Sequence, residues 1–390
     1  MENNHKVCGI IAEYNPFHNG HKYQLDLIKK AYDTVVVVMS GSFTQRGDTA
    51  IIDKWSRTRS ALISGADLVL ELPVAFSMST ADRFAFGAIN LLNSLLCVDA
   101  LSFGSESGDI NELESAAHNL LNESSSQSLL IQSLMKDGMP YAAARQKAFS
   151  GIIPDGILNE PNNILAVEYI KHILLSGSSM IPITHKRTGS AYNSENLHSP
   201  MASAAAIRAN ISSDKIREHM PEEVFKIFQA SSKHYLKNLD NAAIYHIRAH
   251  GPDCLKPSLE CVEGLENRIF DASKKFSTIE EIANYCSTKR YTKAKIRRII
   301  LSSMLGIDQS LCKQTPTYSR VLGATETGCK LLGRIKDTTK LSIITKTADF
   351  RDTNSMFYAD IMATDIWALS CENDKNKQAG TDYSTSPVMI

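Results

Sequence analysis

The stretch Lys6-Val7-Cys8-Gly9-Ile10-Ile11-Ala12 runs directly into Glu13-Tyr14-Asn15-Pro16-Phe17-His18-Asn19-Gly20-His21-Lys22-Tyr23-Gln24. The first seven residues are a short apolar run, read as a β-strand, and from Gly20 to Tyr32 the spacing becomes helical. A strand that passes through such a loop into a helix is how an open α/β sheet makes a ligand site, at the strand's carboxyl end beside a helix N-terminus. Gly20 is expected to let the backbone come close to a phosphate. His18 and His21 flank it and are expected to donate to phosphate oxygens, steadying the charge that develops at phosphorus during adenylyl transfer. The competing reading is a pair of histidines that merely caps a helix. The glycine-rich dinucleotide fingerprint and the Walker loop are both absent from the sequence, which disfavours dehydrogenases and P-loop enzymes.

Working outward, Thr34–Met39, Asp67–Leu72 and Val98–Phe103 read as further strands, with a fifth at Met180–Thr184. Helical patterns cover Asp53–Ser64, Thr80–Leu95, Ile110–Leu121, Gln127–Lys136, Tyr141–Ser150 and Pro161–Leu174. Continuous apolar strands separated by helix-length segments predict the α/β class, a Rossmann-like parallel sheet covered on both faces. From about Pro221 the periodicity is helical, with one short strand run at Leu341–Ile344. The expected partition is a nucleotide-binding domain over 1–218, a mainly α-helical, RNA-binding domain over 219–372, and a polar, disordered tail over 373–390.

The chain has 390 residues, 43% hydrophobic and 22% charged, with zero formal net charge. A polyanionic partner must therefore be met by a local basic patch rather than by the field of the whole molecule. No apolar run reaches the length of a membrane span and no signal-peptide core is visible, so the expectation is a cytoplasmic protein without a membrane partner. Eight scattered cysteines without a C-x-x-C pair argue for reduced thiols and against a structural zinc site, and no protein-held metal is expected.

A second element is Ser199-Pro200-Met201-Ala202-Ser203-Ala204-Ala205-Ala206-Ile207-Arg208. Here Ser203 is expected to cap a helix and Arg208, one turn in, to hold the β- and γ-phosphates. A third lies further on: from Asp271 to Ile300 there are eight Lys/Arg against three Asp/Glu. With Tyr291–Leu301 helical, Lys293 and Arg297 share one face and Ile296 and Ile300 another. Lys289, Arg290, Lys293, Arg297 and Arg298, bracketed by Tyr285 and Tyr291, are the expected RNA-facing residues.

The two nucleotide motifs together resemble the superfamily of class I aminoacyl-tRNA synthetases and pantetheine-phosphate adenylyltransferase, with its HIGH-type loop. The segment Ala12 to His21 is similar to the signature of the bacterial tRNA(Met) cytidine acetate ligase family. So are Met39–Gly47, Gly65–Pro73, Ser102–Glu106, Glu160–Tyr169, Lys186–Tyr192 and Thr288–Thr292. The resemblance runs from about Val7 to Leu369. It implies an enzyme that activates acetate with ATP as acetyl-adenylate, Mg2+ accompanying the nucleotide. The acetyl group would then pass to N4 of the wobble cytidine of elongator tRNA(Met). Carried onto this chain it implies ATP contacts along Ile11 to Gln24, with Gly104, one of Asn162 and Asn163, and Arg187 completing the site. Gly189 beside Arg187 is expected to permit close approach. The chain departs from the pattern at Ala204-Ala205-Ala206, where relatives often carry a hydroxyl. Gln45-Arg46-Gly47-Asp48 is read either as a loop that meets acetate or the target base, or as a simple turn. Glu13 is a candidate base for the cytidine amine. Two other functions compete: a small-molecule adenylyltransferase, which does not require the large helical half, and a non-catalytic RNA-binding protein with a relic pocket.

Overall fold

The computed structural model describes residues 5–139, 141–187, 201–262, 264–350 and 355–390. Its strands are β1 (Val7–Ala12), β2 (Thr34–Ser40), β3 (Phe43–Thr44), β4 (Asp48–Thr49), β5 (Leu68–Leu72), β6 (Ala100–Ser105), β7 (Ile181–Lys186), β8 (Tyr318–Ala324), β9 (Ser342–Ile344) and β10 (Val388–Met389). The main sheet runs in the order β10-β8-β5-β2-β1-β6-β7, with β9 paired to β8. β1 lies inside it, parallel to β2 on one side and to β6 on the other. Every residue of the valine-rich β2 is buried, as a strand covered on both faces requires. Two of the helices between strands begin where the sequence offers a cap. Asp53 accepts from the Ser56 N–H ahead of Lys54–Ile63, and Thr80 accepts from the Arg83 N–H ahead of Ala81–Ser94.

Two expectations are corrected here. The segment over 318–324, read within the helical half, is β8: it pairs antiparallel with β5, and all seven of its residues are buried. The tail after 373, expected to be disordered, forms a short helix over Thr381–Ser384 and then β10, which pairs parallel with β8. Buried charge supplies the reason. Lys54 Nζ lies 2.8 Å from both Glu71 and Asp382, and Arg320 bonds Asp382 at 2.8 Å. All four of these side chains are at most 4% exposed. Burial alone would raise the Asp382 carboxyl, but the Lys54 and Arg320 charges outweigh it and hold it at about 2. The boundary expected near 218 therefore does not separate sheet from helices.

The helix expected over Tyr291–Leu301 spans Lys293–Met304, because Thr292 caps it by accepting from the Lys295 N–H. Its buried seam contains Ile296 and Ile300 as expected, and also Arg298. The small β3–β4 hairpin lies against this helix. Gly47, at φ 68°, has room there only because it lacks a side chain: a Cβ would sit 2.9 Å from Arg297 Cβ and from the Arg298 backbone nitrogen. Among the described residues no helix is long and apolar enough to cross a membrane, and the eight cysteines are unbonded.

Candidate active site

A cleft of about 280 Å3 opens at the carboxyl ends of β1 and β6 and beside the β3–β4 hairpin. From the β1 loop it is lined by Ile11, Ala12, Glu13, Tyr14, Asn15, His18, His21 and Gln24. Buried polar anchors hold this loop in place. The Arg57 guanidinium, fully buried, donates to Glu13 O and Ser40 O at 2.8 Å and also to Gly41 O, tying the ends of β1 and β2 together. Asn15 Oδ1 accepts from the Ile51 N–H at 2.7 Å. Gln24 Nε2 donates to Ser102 O at 3.1 Å, fastening the Asn19–Ile28 helix to β6. Tyr14 sits at φ 48°, a conformation that a bulky side chain adopts only when its surroundings impose it.

His18 and His21 do cap the helix, and they face the cleft as well. His18 Nδ1 accepts from the Gly20 N–H at 3.0 Å, and His21 Nδ1 accepts from the His18 N–H at 3.2 Å. The two rings stack with centroids 3.7 Å apart. Burial, reinforced by the Arg187, His219 and Arg208 charges, pushes the His18 imidazole down to about 3. Burial and the neighbouring His18 also push His21 well below its ordinary value. Both rings are therefore neutral at physiological pH. With Nδ1 accepting from backbone, the proton of each must reside on Nε2. The result is a pair of uncharged N–H donors.

At Gly20 a Cβ would lie 2.8 Å from His18 Cε1, so the missing side chain makes room for the imidazole. Of the other loop positions assigned to ATP, Pro16 and Phe17 are buried. Asn19 donates to Glu218 O at 2.9 Å, Lys22 pairs with Asp26, and Tyr23 is exposed. None of these six residues, Gly20 included, lines the cleft.

The opposite wall brings the distant motifs together. Gly104, on β6, stands beside His185 in the β6–β7 register. A Cβ on it would come within 3.0 Å of Arg187 Cγ. Asn162 lines the cleft, whereas Asn163 is buried and accepts from the Ser107 N–H at 3.0 Å. Neither asparagine caps the Pro161–Leu175 helix. Glu106 does so, taking the Asn162 and Asn163 N–H groups at 3.2 and 2.8 Å. Ser203 caps Ala204–Ala209 through the Ala206 N–H, and Arg208 Nη1 reaches Asn15 O at 2.5 Å, which locks this short helix onto the histidine loop. Ser199, Pro200 and Gly189 lie outside the described residues.

Among the lining residues, Arg46, Arg187, Arg208 and Arg297 outnumber Glu13 and Asp48. This is the local positive field that a neutral chain needs to hold a polyanion. Sequence reading missed Phe84, Phe103, Leu165 and Tyr169 on the apolar wall. Leu165 and Tyr169 follow Asn162 at helical spacing, and that periodicity was a signal for them.

The basic residues assigned to RNA separate into two groups. Lys289, Arg290 and Lys293 are exposed. Arg297 is half-buried against Glu280 at 3.0 Å and lines the cleft. Arg298, 7% exposed, bonds Glu260 at 2.7 Å and donates to Gln45 O at 2.9 Å. Its expected place on an outward basic face is corrected: the ion pair and the carbonyl bond give its charge a buried structural task.

A family model described as HIGH nucleotidyl transferase matches residues 5–382. The tRNA(Met) cytidine acetate ligase of Thermoanaerobacter sp. (strain X514) is 42% identical, over 97% of this chain and 98% of its own. That of Clostridium perfringens is 36% identical, over 98% and 99%. A crystal structure of Thermotoga maritima TmcAL bound with alpha-thio ATP superposes with a TM-score of 0.89 at 29% identity, and an apo form with 0.92 at 30%, each covering 99% of both chains. The chain belongs to the HIGH nucleotidyltransferase family and, within it, to the tRNA(Met) cytidine acetate ligases.

Proposed function

We propose that this protein is an ATP-dependent ligase that forms acetyl-adenylate from acetate, releases pyrophosphate, and transfers the acetyl group to N4 of the wobble cytidine of elongator tRNA(Met). The observation that carries this reading is the stacked, neutral imidazole pair at the mouth of an arginine-lined cleft. Uncharged Nε2–H donors stabilise charge building at the α-phosphate without holding the ground-state triphosphate too tightly. Arg208 takes the leaving pyrophosphate, while Gly104, Asn162 and Arg187 take the adenosine side. Mg2+ arrives on the phosphates and keeps most of its water. Acetyl-adenylate is already activated, so the chain's task is alignment and exclusion of water, with no acyl-enzyme needed. The setting is the cytosol, where tRNA and reduced thiols coexist.

The RNA substrate approaches over Lys289, Arg290 and Lys293, next to Arg297 at the cleft. Exchanging Lys289 and Arg290 together for glutamate is expected to weaken tRNA binding and to lower the salt slope by about one per residue. ATP binding is expected to be unchanged; filter binding across a salt series checks both. The function itself is tested by incubating the protein with ATP, labelled acetate and unmodified tRNA. Label in the wobble cytidine supports the ligase, whereas ATP consumption only with a small nucleotide or phosphopantetheine acceptor would replace it with an adenylyltransferase.

A further inference from the structure

Transfer of acetyl to the exocyclic amine of a cytosine requires a proton acceptor, because that nitrogen is a weak nucleophile that must lose a proton as it bonds to carbon. The cleft offers few candidates. His18 and His21 are poor bases: each Nδ1 is engaged by a backbone N–H, and burial holds both rings neutral. Of the two lining carboxylates, Asp48 accepts from its neighbouring Thr49 N–H at 2.9 Å, within the hairpin backbone. Glu13 stands at the end of β1, in the loop that carries the histidines, with Oε1 held by the Gln45 N–H at 2.8 Å. Each carboxylate thus has one oxygen held by a backbone N–H, and Glu13 is the one that shares a loop with the two histidines.

We propose that Glu13 is the general base of the acetyl-transfer step, its Oε2 taking the proton from cytidine N4 as that nitrogen attacks the acetyl carbonyl. This rests on the ligase reading above. The N4–carbon bond forms, the bond between the acetyl carbon and the adenylate oxygen breaks, and AMP leaves with the electron pair. The proton passes from N4 to Glu13 and then to solvent. The charged groups facing the carboxyl are Arg46 on the hairpin, Arg57 on the Lys54–Ile63 helix and Arg208 on the Ala204–Ala209 helix. Burial nevertheless raises its pKa, against the Gln45 N–H and these three cations. A base of raised pKa is better matched to neutral pH than an ordinary carboxylate. Its active form is the deprotonated one, so transfer should rise with pH through a midpoint above the usual carboxylate range.

The test separates the two half-reactions in Glu13→Gln, which keeps an acceptor for the Gln45 N–H. Acetate-dependent ATP–pyrophosphate exchange reads the first. Single-turnover transfer from preformed acetyl-adenylate to tRNA reads the second. Transfer is expected to fall on the order of 100-fold further than exchange, to lose its acidic limb, and to recover partly in Glu13→Asp. An equal loss in both half-reactions, unimpaired transfer, or a changed Mg2+ requirement for exchange would each overturn the assignment. If the wild-type protein exchanges no pyrophosphate with acetate and labels no RNA, the ligase reading itself fails, and that result is visible before any variant is made.

Discussion

Replacing His18 with alanine is expected to slow acetate-dependent ATP–pyrophosphate exchange on the order of 100- to 1000-fold, the loss that follows removal of one preorganised donor at a site of developing charge. The same change removes a helix cap, since His18 accepts the Gly20 N–H. It also strips the stacking partner from His21. Stability should nevertheless fall by only about 1 kcal/mol, the usual worth of a cap, so folding and catalysis can be scored independently by denaturant midpoint and exchange rate. His18→Asn, which can both cap and donate, should retain more activity than His18→Ala. The pH dependence provides a sharper check. With its pKa lowered to about 3, His18 is neutral everywhere above that value. Exchange should therefore show no imidazole titration near 6.5. A limb there that disappears in the alanine variant would mean that the ring works as a cation.

The second large effect concerns stability. Lys54→Met should destabilise the fold by about 3–5 kcal/mol at neutral pH, the cost typical of breaking a buried ion pair from one side. The lysine is 1% exposed and bonds Glu71 at 2.8 and 3.0 Å and Thr364 at 3.1 Å, with Asp382 at 2.8 Å. Without it, two buried carboxylates share Arg320 alone. The pH sign follows from Asp382. Its carboxyl, held at about 2, contributes stability above the ordinary carboxylate range and loses it as pH falls through that value. In the variant, burial raises the same carboxyl, so it protonates more readily and the deficit shrinks as pH falls. Urea midpoints at pH 7 and pH 4 should therefore differ less between the two proteins at the lower pH. An equal or larger gap at pH 4 would contradict the assigned role of Asp382.

What the sequence made legible was local. β1, β2, β5, β6 and β7 are each encoded by a short apolar or β-branched run, and the two main helices flanking β5 begin at Asp53 and Thr80 and follow their own periodicity. The histidine loop was legible for the same reason, because its cleft-facing geometry is set within a dozen residues. What stayed hidden was pairing between distant segments. Tyr-Ser-Arg-Val-Leu-Gly-Ala gives no clean alternation, and Arg320 in its middle is buried only because Glu71 and Asp382 lie across from it. Lys54, Arg57 and Arg298 read as polar helix residues, yet each is buried against acids or carbonyls that no local window contains. Asn162 and Asn163 could be told apart only once Glu106 and Ser107 were placed beside them.

The antiparallel seat of β8 against β5 has a bearing on how this molecule can be divided. β5 is buried at all five positions, and its neighbour on the side away from β2 comes from roughly 250 residues later in the chain. A fragment cut near residue 218 would keep the histidine loop but leave that strand with a bare row of amides and carbonyls. Such an edge is a template for strand addition between molecules, so the excised half would tend to aggregate rather than stand alone.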